Sequence, residues 1–147
     1  MRNYIMKSFF ALACLALVVV PLSAQKGRGG GGGNGGGGGG GGCAVVATPT
    51  LSTVTASPGL NVGVFGRVGN CAGGKKRYTV SVSSMSSCEA ETMIGSSVIT
   101  FSGGETKLIS VSYPIAPDTC LGAMAVKVSV YEGGTMLASD SATLTIQ

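Results

Sequence analysis

The sequence predicts an all-β fold of about seven short strands, arranged as a two-sheet Greek-key sandwich. From Cys43 onward the chain is rich in Val, Thr and Ser with frequent Gly, which are residue types typical of strands and turns. Apolar and polar residues alternate with period two in most segments of this region. Turn signals rich in Gly separate these segments roughly every 8–15 residues, the spacing expected of a sandwich.

The first strands are expected between Thr50 and Ser84. A strand at about Thr50–Ala56 ends at the turn Ser57-Pro58-Gly59, and the runs NVGVFGRV and RYTVSVSS follow it. Period two places one set of side chains of each run toward the core. In these two runs the set comprises Val62, Val64 and Val68, then Tyr78, Val80 and Val82.

The later strands are separated by two Gly-Gly pairs, Gly103-Gly104 and Gly133-Gly134. Such pairs are hairpin signals, because the favoured two-residue turns need positive φ. The runs KLISVSYP, MAVKVSVY and ATLTIQ alternate as the earlier ones do. Their core-facing residues are expected to be Ile109, Val111 and Tyr113, then Met124, Val126, Val128 and Val130, then Ala142, Leu144 and Ile146. Asp140 falls in the inward phase of the last strand, so a bulge or a frayed start is expected there.

The first 24 residues have the pattern of a cleavable secretory signal. Arg2 and Lys7 precede the apolar stretch Phe9–Val20, and Ala24 provides a small residue before a cut. The apolar stretch is short for a membrane span, although a retained N-terminal anchor is the alternative. A lipoprotein cut before Cys14 is disfavoured, because it would leave the apolar segment LALVVVPL in the mature protein. The protein is therefore expected to be secreted or periplasmic and of bacterial origin, without stable membrane insertion after cleavage.

Residues 25–42 are expected to form a disordered glycine-rich linker. This segment has fourteen glycines between Gly27 and Gly42, and glycine has no side chain to bury and the largest ordering entropy. As a random coil it would span roughly 20–25 Å. It is interpreted as a spacer or a low-complexity expansion, and a sticky, matrix-associating tail is the alternative. The folded domain is expected at residues 43–147.

The folded region has no excess of positive charge that would favour binding to nucleic acid. The whole chain carries ten basic and six acidic residues. Four of the basic residues, Arg2, Lys7, Lys26 and Arg28, precede Cys43, so residues 43–147 have six of each sign and no net charge. The one basic cluster is Lys75-Lys76-Arg77 beside Gly73-Gly74. It is a candidate contact surface for an anion or a polysaccharide, or alternatively a solvated loop edge.

The segment APDTCLGAMAVKVSVYEGG, Ala116–Gly134, resembles a corner and hairpin of bacterial secreted immunoglobulin-like and fibronectin type III-like domains. Asp118 and Gly122 match that pattern, and Met124 stands where those domains often have Tyr. The resemblance implies an immunoglobulin-like β-sandwich. Because this superfold hosts many unrelated functions, it does not imply an activity.

The cysteines that remain after signal removal are Cys43, Cys71, Cys88 and Cys120. An even number in an exported chain predicts two disulfides, whereas a zinc site would need close Cys pairs or His, and the chain has no His. In the proposed topology Cys43 precedes the first strand and Cys71 follows the second at one pole, while Cys88 and Cys120 meet at the other. The expected pairs are therefore Cys43–Cys71 and Cys88–Cys120.

The sequence offers little for catalysis, and we expect no enzyme and no cofactor or metal. Without His there is no Ser-His or Cys-His dyad. Glu89 and Glu91 form the only close carboxylate pair, and an acidic loop is favoured over an acid/base pair, although sequence spacing alone does not exclude the latter. A calcium site would want an Asp-rich loop, which is absent from the sequence.

The leading functional hypothesis is a non-enzymatic exported immunoglobulin-like binding or adhesion module of the cell envelope or extracellular space. Its partner would be a protein or a polysaccharide, contacted through Gly69–Arg77 and the turn Glu132–Thr135. The alternative is a structural subunit that associates through the edge strands at the start or end of the domain. An enzyme or protease inhibitor without a recognisable site is a weaker alternative. A monomer is favoured over self-association.

Overall fold

The chain folds as a two-layer sandwich of antiparallel sheets, as the alternation predicts. The computed structural model describes residues 18–21 and 42–147. It contains nine strands, of which eight lie in residues 42–147, and no helix among the described residues. The strands are β1 (Val18–Pro21), β2 (Ala44–Leu51), β3 (Thr55–Ala56), β4 (Asn61–Asn70), β5 (Lys76–Ser86), β6 (Thr92–Phe101), β7 (Thr106–Pro114), β8 (Gly122–Glu132) and β9 (Thr135–Ile146).

The first sheet has the strand order β1-β7-β4-β2, and the second has the order β3-β9-β8-β5-β6. All neighbouring strands are antiparallel except β3 and β9. Within residues 42–147 the pairs β5–β6 and β8–β9 are hairpins, and the other connections cross from one layer to the other. Because the neighbouring strands are antiparallel, the loops after β4, β6 and β8 lie at one pole of the sandwich.

The core lies between the two sheets and is built mainly of valine. Period two explains its composition, because most inward positions of the strands are apolar. The fully buried side chains include those of Val62, Val64, Val68, Tyr78, Val80, Val82, Ile109, Val111, Met124, Val126, Val128, Val130, Leu144 and Ile146. Tyr113 and Ala142, also expected to face inward, are half-buried. Gly66 lets the layers approach, since a Cβ there would lie 3.2 Å from Cγ2 of Val128.

The first strand differs from the expectation of a single strand at about Thr50–Ala56. The chain forms β2 from Ala44 to Leu51, leaves the first sheet, and joins the second sheet as β3 beside β9. A register shift between Ala47 and Thr50 surrounds Pro49, which lacks the N–H that a regular ladder needs. This change of sheet raises the strand count of the domain from seven to eight.

The bulge expected at Asp140 lies elsewhere. Asp140 is paired regularly with Val128, and the register shift in this hairpin lies between Val130 and Tyr131, which face Ala138 and Met136. Asp140 keeps its inward phase at the margin of the sandwich, because its Oδ2 accepts a hydrogen bond of 2.7 Å from Thr48 Oγ1. The edge strand β2 of the first sheet thus supplies a polar partner for Asp140, and β9 continues through this position without fraying.

Two disulfides close the sandwich at opposite poles. Cys43 is bonded to Cys71, with Cα atoms 5.0 Å apart, and Cys88 is bonded to Cys120, with Cα atoms 6.5 Å apart. These pairs coincide with the ones expected from the strand poles. The Cys71 N–H also donates to the Cys43 carbonyl at 2.9 Å, so the start of β2 is fixed to the end of β4.

The expected signal peptide and linker fall largely outside the described residues. Of residues 1–24 only Val18–Pro21 is described, as strand β1 against β7, and of the linker only Gly42. Among the described residues there is no helix with the length and hydropathy that a bilayer span requires.

Candidate functional site

One pole of the sandwich brings together the two segments expected to form a contact surface. The loop between β4 and β5 lies beside the turn between β6 and β7, and the turn between β8 and β9 adjoins them through β5. The β4–β5 loop and the β6–β7 turn are in close contact at Gly103, where a Cβ would lie 2.5 Å from the Gly73 carbonyl oxygen. The pole is therefore a packed cluster of turns.

The buried side chain of Asn70 forms hydrogen bonds to the turns of this pole. It is 2% exposed, and its amide nitrogen donates to the carbonyls of Gly74 at 2.8 Å and Ser102 at 2.9 Å. Its Oδ1 accepts from the Ala72 N–H at 3.0 Å. A buried amide with all its strong partners holds neighbouring turns in one arrangement. Asn70 lies within the expected contact segment Gly69–Arg77, but its buried role was not predicted, although an Asn directly before Cys71 and a Gly-rich loop is a turn signal.

Tyr78 connects the same cluster to the disulfide. Its ring is buried in the core against Phe101, with centroids 5.6 Å apart. Its hydroxyl lies 3.0 Å from both the Cys43 carbonyl oxygen and Asn70 Oδ1, and its single O–H is shared between these two acceptors. Burial, and secondarily the Glu132 carboxylate, raises the pKa of the Tyr78 phenol, so the hydroxyl remains a donor at ordinary pH.

The basic triplet divides into two exposed cations and one paired cation. Lys76 Nζ lies 3.0 Å from Glu132 Oε1, and both side chains are partly covered. Arg77 lies on the opposite face of β5 from Lys76, and Lys75 lies in the loop before β5; both are exposed. Neither forms an ion pair with another residue of the segment 42–147. The structure thus joins the two expected contact segments through Lys76 and Glu132 and leaves Lys75 and Arg77 open to solvent.

The outer face of the second sheet has a shallow hollow of about 270 Å³, lined by Ser81, Ser83, Glu91, Met93 and Tyr131. Short serine side chains form its floor because they occupy the outward positions of β5 between larger neighbours. Ser83 Oγ donates to Glu91 Oε1 at 2.6 Å, and Lys127 Nζ lies 2.6 Å from the same oxygen. The hydrogen bonds from Lys127 and then Ser83 lower the pKa of the Glu91 carboxyl. We call this feature the serine hollow.

A second cavity of about 290 Å³ opens at the opposite pole, near Cys88–Cys120. We call it the lateral cleft, and its lining includes Glu89, Met93, Ile94, Tyr113 and Pro114. Tyr113 Oη lies 3.3 Å from Ser84 Oγ and 3.4 Å from Met124 Sδ at its inner wall. The cleft lies where the sandwich is open between β6 and β7.

The close carboxylate pair of the sequence does not converge in the fold. Glu89 lines the lateral cleft, whereas Glu91 lines the serine hollow. Three other carboxylates have separate partners: Glu105 accepts from the Ser102 N–H at 2.7 Å, Glu132 pairs with Lys76, and Asp140 accepts from Thr48. Within the described part of the chain no three His, Cys, Asp or Glu residues are grouped as metal ligands.

Comparison with known proteins identifies the fold alone. No protein-family model matches the sequence, and no curated protein matches it. Solved structures do match in three dimensions at low identity. The CARDB domain of a Pyrococcus furiosus protein, solved with di-metal ions, has a TM-score of 0.58 at 12% identity over 72% of this chain and 89% of that chain.

Two other similar structures are larger proteins of different kinds. A β-glucosidase from Erythrobacter marinus has a TM-score of 0.59 at 10% identity, over 72% of this chain and 16% of that enzyme. The sporulation control protein Spo0M of Bacillus subtilis has a TM-score of 0.53 at 18% identity, over 71% of this chain and 49% of that protein. The shared element is a β-sandwich domain, which occurs in proteins of unrelated function.

Proposed function

We propose that the chain is an exported, non-enzymatic, immunoglobulin-like binding module. The likeness to the CARDB domain supports the immunoglobulin-like assignment, because that match spans most of both chains. Two disulfides fit an extracellular or periplasmic location. The signal peptide at residues 1–24 and the bacterial source belong to this proposal.

The observation that supports binding best is the construction of the pole formed by Gly69–Arg77 and Glu132–Thr135. Its turns are held by the buried Asn70, the Cys43–Cys71 bond and the Lys76–Glu132 pair. Loops fixed on a rigid scaffold are where binding residues concentrate. The proposed contact residues are Lys75 and Arg77, while Lys76 maintains the geometry of the surface.

The chemistry of these two cations favours an anionic partner, such as an acidic polysaccharide or an acidic protein patch. Arg77 begins the outer face of the second sheet, which continues through hydroxyl groups to Tyr131 and the serine hollow. A sugar chain could therefore contact a cation at the pole and hydroxyl groups along the sheet. Nucleic acid is not part of the proposal because residues 43–147 have no net charge.

Affinity electrophoresis with alginate, an anionic polysaccharide, and dextran, a neutral one, tests this surface. Each exposed cation contributes about 1 kcal/mol or less, so Arg77→Gln should weaken alginate binding by up to about five-fold at low salt. Lys75→Gln should act in the same direction.

Arg67→Gln is the matched control for Arg77→Gln. Arg67 is also an exposed strand arginine, but it lies on the outer face of the first sheet. Equal losses in the two variants would mean that net charge alone governs binding, and this would reject the pole as a site. If the protein bound neither alginate nor dextran, the polysaccharide partner would be rejected.

Self-association as a structural subunit is the second candidate function. The sequence predicted association through the first or last strand of the domain. The structure favours a different edge, that of β7, because β1 is paired with it.

A further inference from the structure

The outer edge of β7 has backbone groups arranged for another strand. On the inner side, the Ile115 N–H donates to the Leu60 carbonyl, and the Glu105 carbonyl accepts from the Asn70 N–H. Odd-numbered residues of β7 therefore direct their backbone groups toward β4. Alternation then directs the N–H and C=O groups of Leu108, Ser110 and Ser112 to the outer edge.

This edge lacks the usual protection against pairing. Natural edges are blunted by proline, by charge, by bulges or by short length. The edge strand β2 contains Pro49 and a register shift, and β3 has two residues. The segment Leu108–Ser112 of β7 has neither charge nor proline. The nearby Lys107 does not guard it, because its Nζ donates to the Thr100 carbonyl at 2.6 Å and lies over the Phe101 ring.

The structure contains a strand on this edge. Val18–Pro21 pairs antiparallel with β7, with Val18 opposite Ser110 and Val20 opposite Leu108. Both partners belong to the set whose backbone groups point outward. This strand lies inside the segment proposed as a signal peptide, so cleavage after Ala24 would remove it and expose the edge.

We propose that the outer edge of β7 is a strand-binding site, which Val18–Pro21 occupies in the uncleaved chain and which β7 of a second copy occupies after cleavage. The proposal rests on the secretory processing in the proposed function. A two-fold axis makes identical strands antiparallel, the same relation that β1 has to β7. The first sheets of two copies would then join into one continuous sheet.

The residues of β7 suit this self-pairing. With the axis at Ser110, this residue lies opposite Ser110 of the partner subunit, and Leu108 lies opposite Ser112 of the partner subunit. All of these belong to the outward-directed set, so their backbone groups can pair. Lys107 would lie opposite Tyr113 of the partner subunit, and no like charges meet. One pair of short strands buries little area, so the dimer should be weak and depend on concentration.

Sedimentation velocity of residues 25–147 and of the full chain over a wide concentration range tests the site. The buried core lies between Ala56 and Ile146, so the shorter chain keeps its whole core. We expect residues 25–147 to dimerise and the full chain to do so at least about ten-fold more weakly. Amide exchange should show the Ser110 N–H protected in the full chain and exposed in dilute residues 25–147.

Ser110→Lys in residues 25–147 places like charges opposite each other across the axis. It should weaken the dimer by at least about ten-fold. The control is Ser96→Lys, an exposed position of the other uncharged edge strand, β6, which should leave the dimer unchanged.

A monomer at all concentrations would overturn the proposal, and so would a dimer that Ser96→Lys weakens and Ser110→Lys does not. The intact mass of the exported protein tests the processing separately. A product that retains residues 1–24 would reject the secretory proposal, whereas the sedimentation result on residues 25–147 would still decide whether the edge of β7 binds a strand.

Discussion

Two buried hydroxyl groups show how differently single residues contribute to this sandwich. The Tyr78 hydroxyl has two acceptors within 3.0 Å. The Ser129 hydroxyl is buried with no hydrogen-bond partner among the described residues. A buried polar group stabilises the fold when it is paired and costs free energy when it is not. The two residues should therefore respond to loss of the hydroxyl with opposite signs.

Tyr78→Phe should lower the free energy of unfolding by about 1–2 kcal/mol at pH 7, because it removes the link between Cys43 and Asn70. Tyr131→Phe, on the half-buried outer face, is the control and should have little effect. Urea unfolding measures both. An effect as small as that of the control would mean that the hydroxyl network does not hold the pole.

The same residue predicts an alkaline dependence of stability. Because the pKa of Tyr78 is raised in the folded state, its contribution is complete below the ordinary tyrosine pKa of about 10 and is lost as the pH rises through the folded value. The stability difference between the wild type and Tyr78→Phe should therefore shrink above about pH 10. A difference that stays constant to higher pH would contradict the assigned shift.

Ser129→Ala should leave stability unchanged or raise it by about 1 kcal/mol, since it removes an unpaired buried hydroxyl. Ser81→Ala is the matched control, because Ser81 lies directly opposite Ser129 on β5 and lines the serine hollow. Thermal unfolding of both variants measures the difference. Clear destabilisation by Ser129→Ala alone would show that this hydroxyl has a partner, such as a bound water.

At the scale of elements, the turns of the pole formed by Gly69–Arg77 and Glu132–Thr135 are fixed by close backbone approach. Gly103→Ala should lower the free energy of unfolding by roughly 1–3 kcal/mol, because its Cβ would meet the Gly73 carbonyl oxygen at 2.5 Å. Gly73→Ala is the control, since a Cβ there meets nothing within 4 Å. Urea unfolding of the two variants should separate them, and equal stability would mean that the turns can move apart freely.

The strands could be predicted from the sequence where alternation is regular, and not where the chain changes sheets. The inward sets of β4, β5 and β8 were predicted residue by residue because apolar residues recur with period two on the inward face of each strand. The division of the first strand into β2 and β3 was not predicted. The chain leaves the first sheet after Leu51 because β3 pairs with β9, and this pairing is not visible in the local sequence around Pro49 and Ser52–Val54. The partner of Asp140 was missed for the same reason, because Thr48 lies 92 residues away.

At the scale of the whole molecule, the sequence predicted the sandwich and the poles of the two cystines more fully than the surface. Strand poles follow from antiparallel order, which needs only the sequence of strands. The surface of the pole at Gly69–Arg77 depends on side-chain directions that the sequence does not give. The triplet Lys75-Lys76-Arg77 is uniformly basic in sequence, but in the fold Lys76 forms an ion pair with Glu132. The role of Asn70 depends on the turns that surround it, and the outer edge of β7 depends on which strands become neighbours.

The two disulfides offer a test of how the poles differ. Each closes a similar loop, with sequence separations of 28 and 32, so the chain-entropy model gives roughly 3–4 kcal/mol for either bond. The double variants Cys43→Ser/Cys71→Ser and Cys88→Ser/Cys120→Ser should therefore lose similar stability. Only the first should also change the near-ultraviolet circular dichroism of Tyr78 and weaken alginate binding, because the Cys43 carbonyl accepts from that hydroxyl. Equal spectral change in both, or peptide mapping that joins Cys43 to Cys88 or Cys120, would contradict this division of roles.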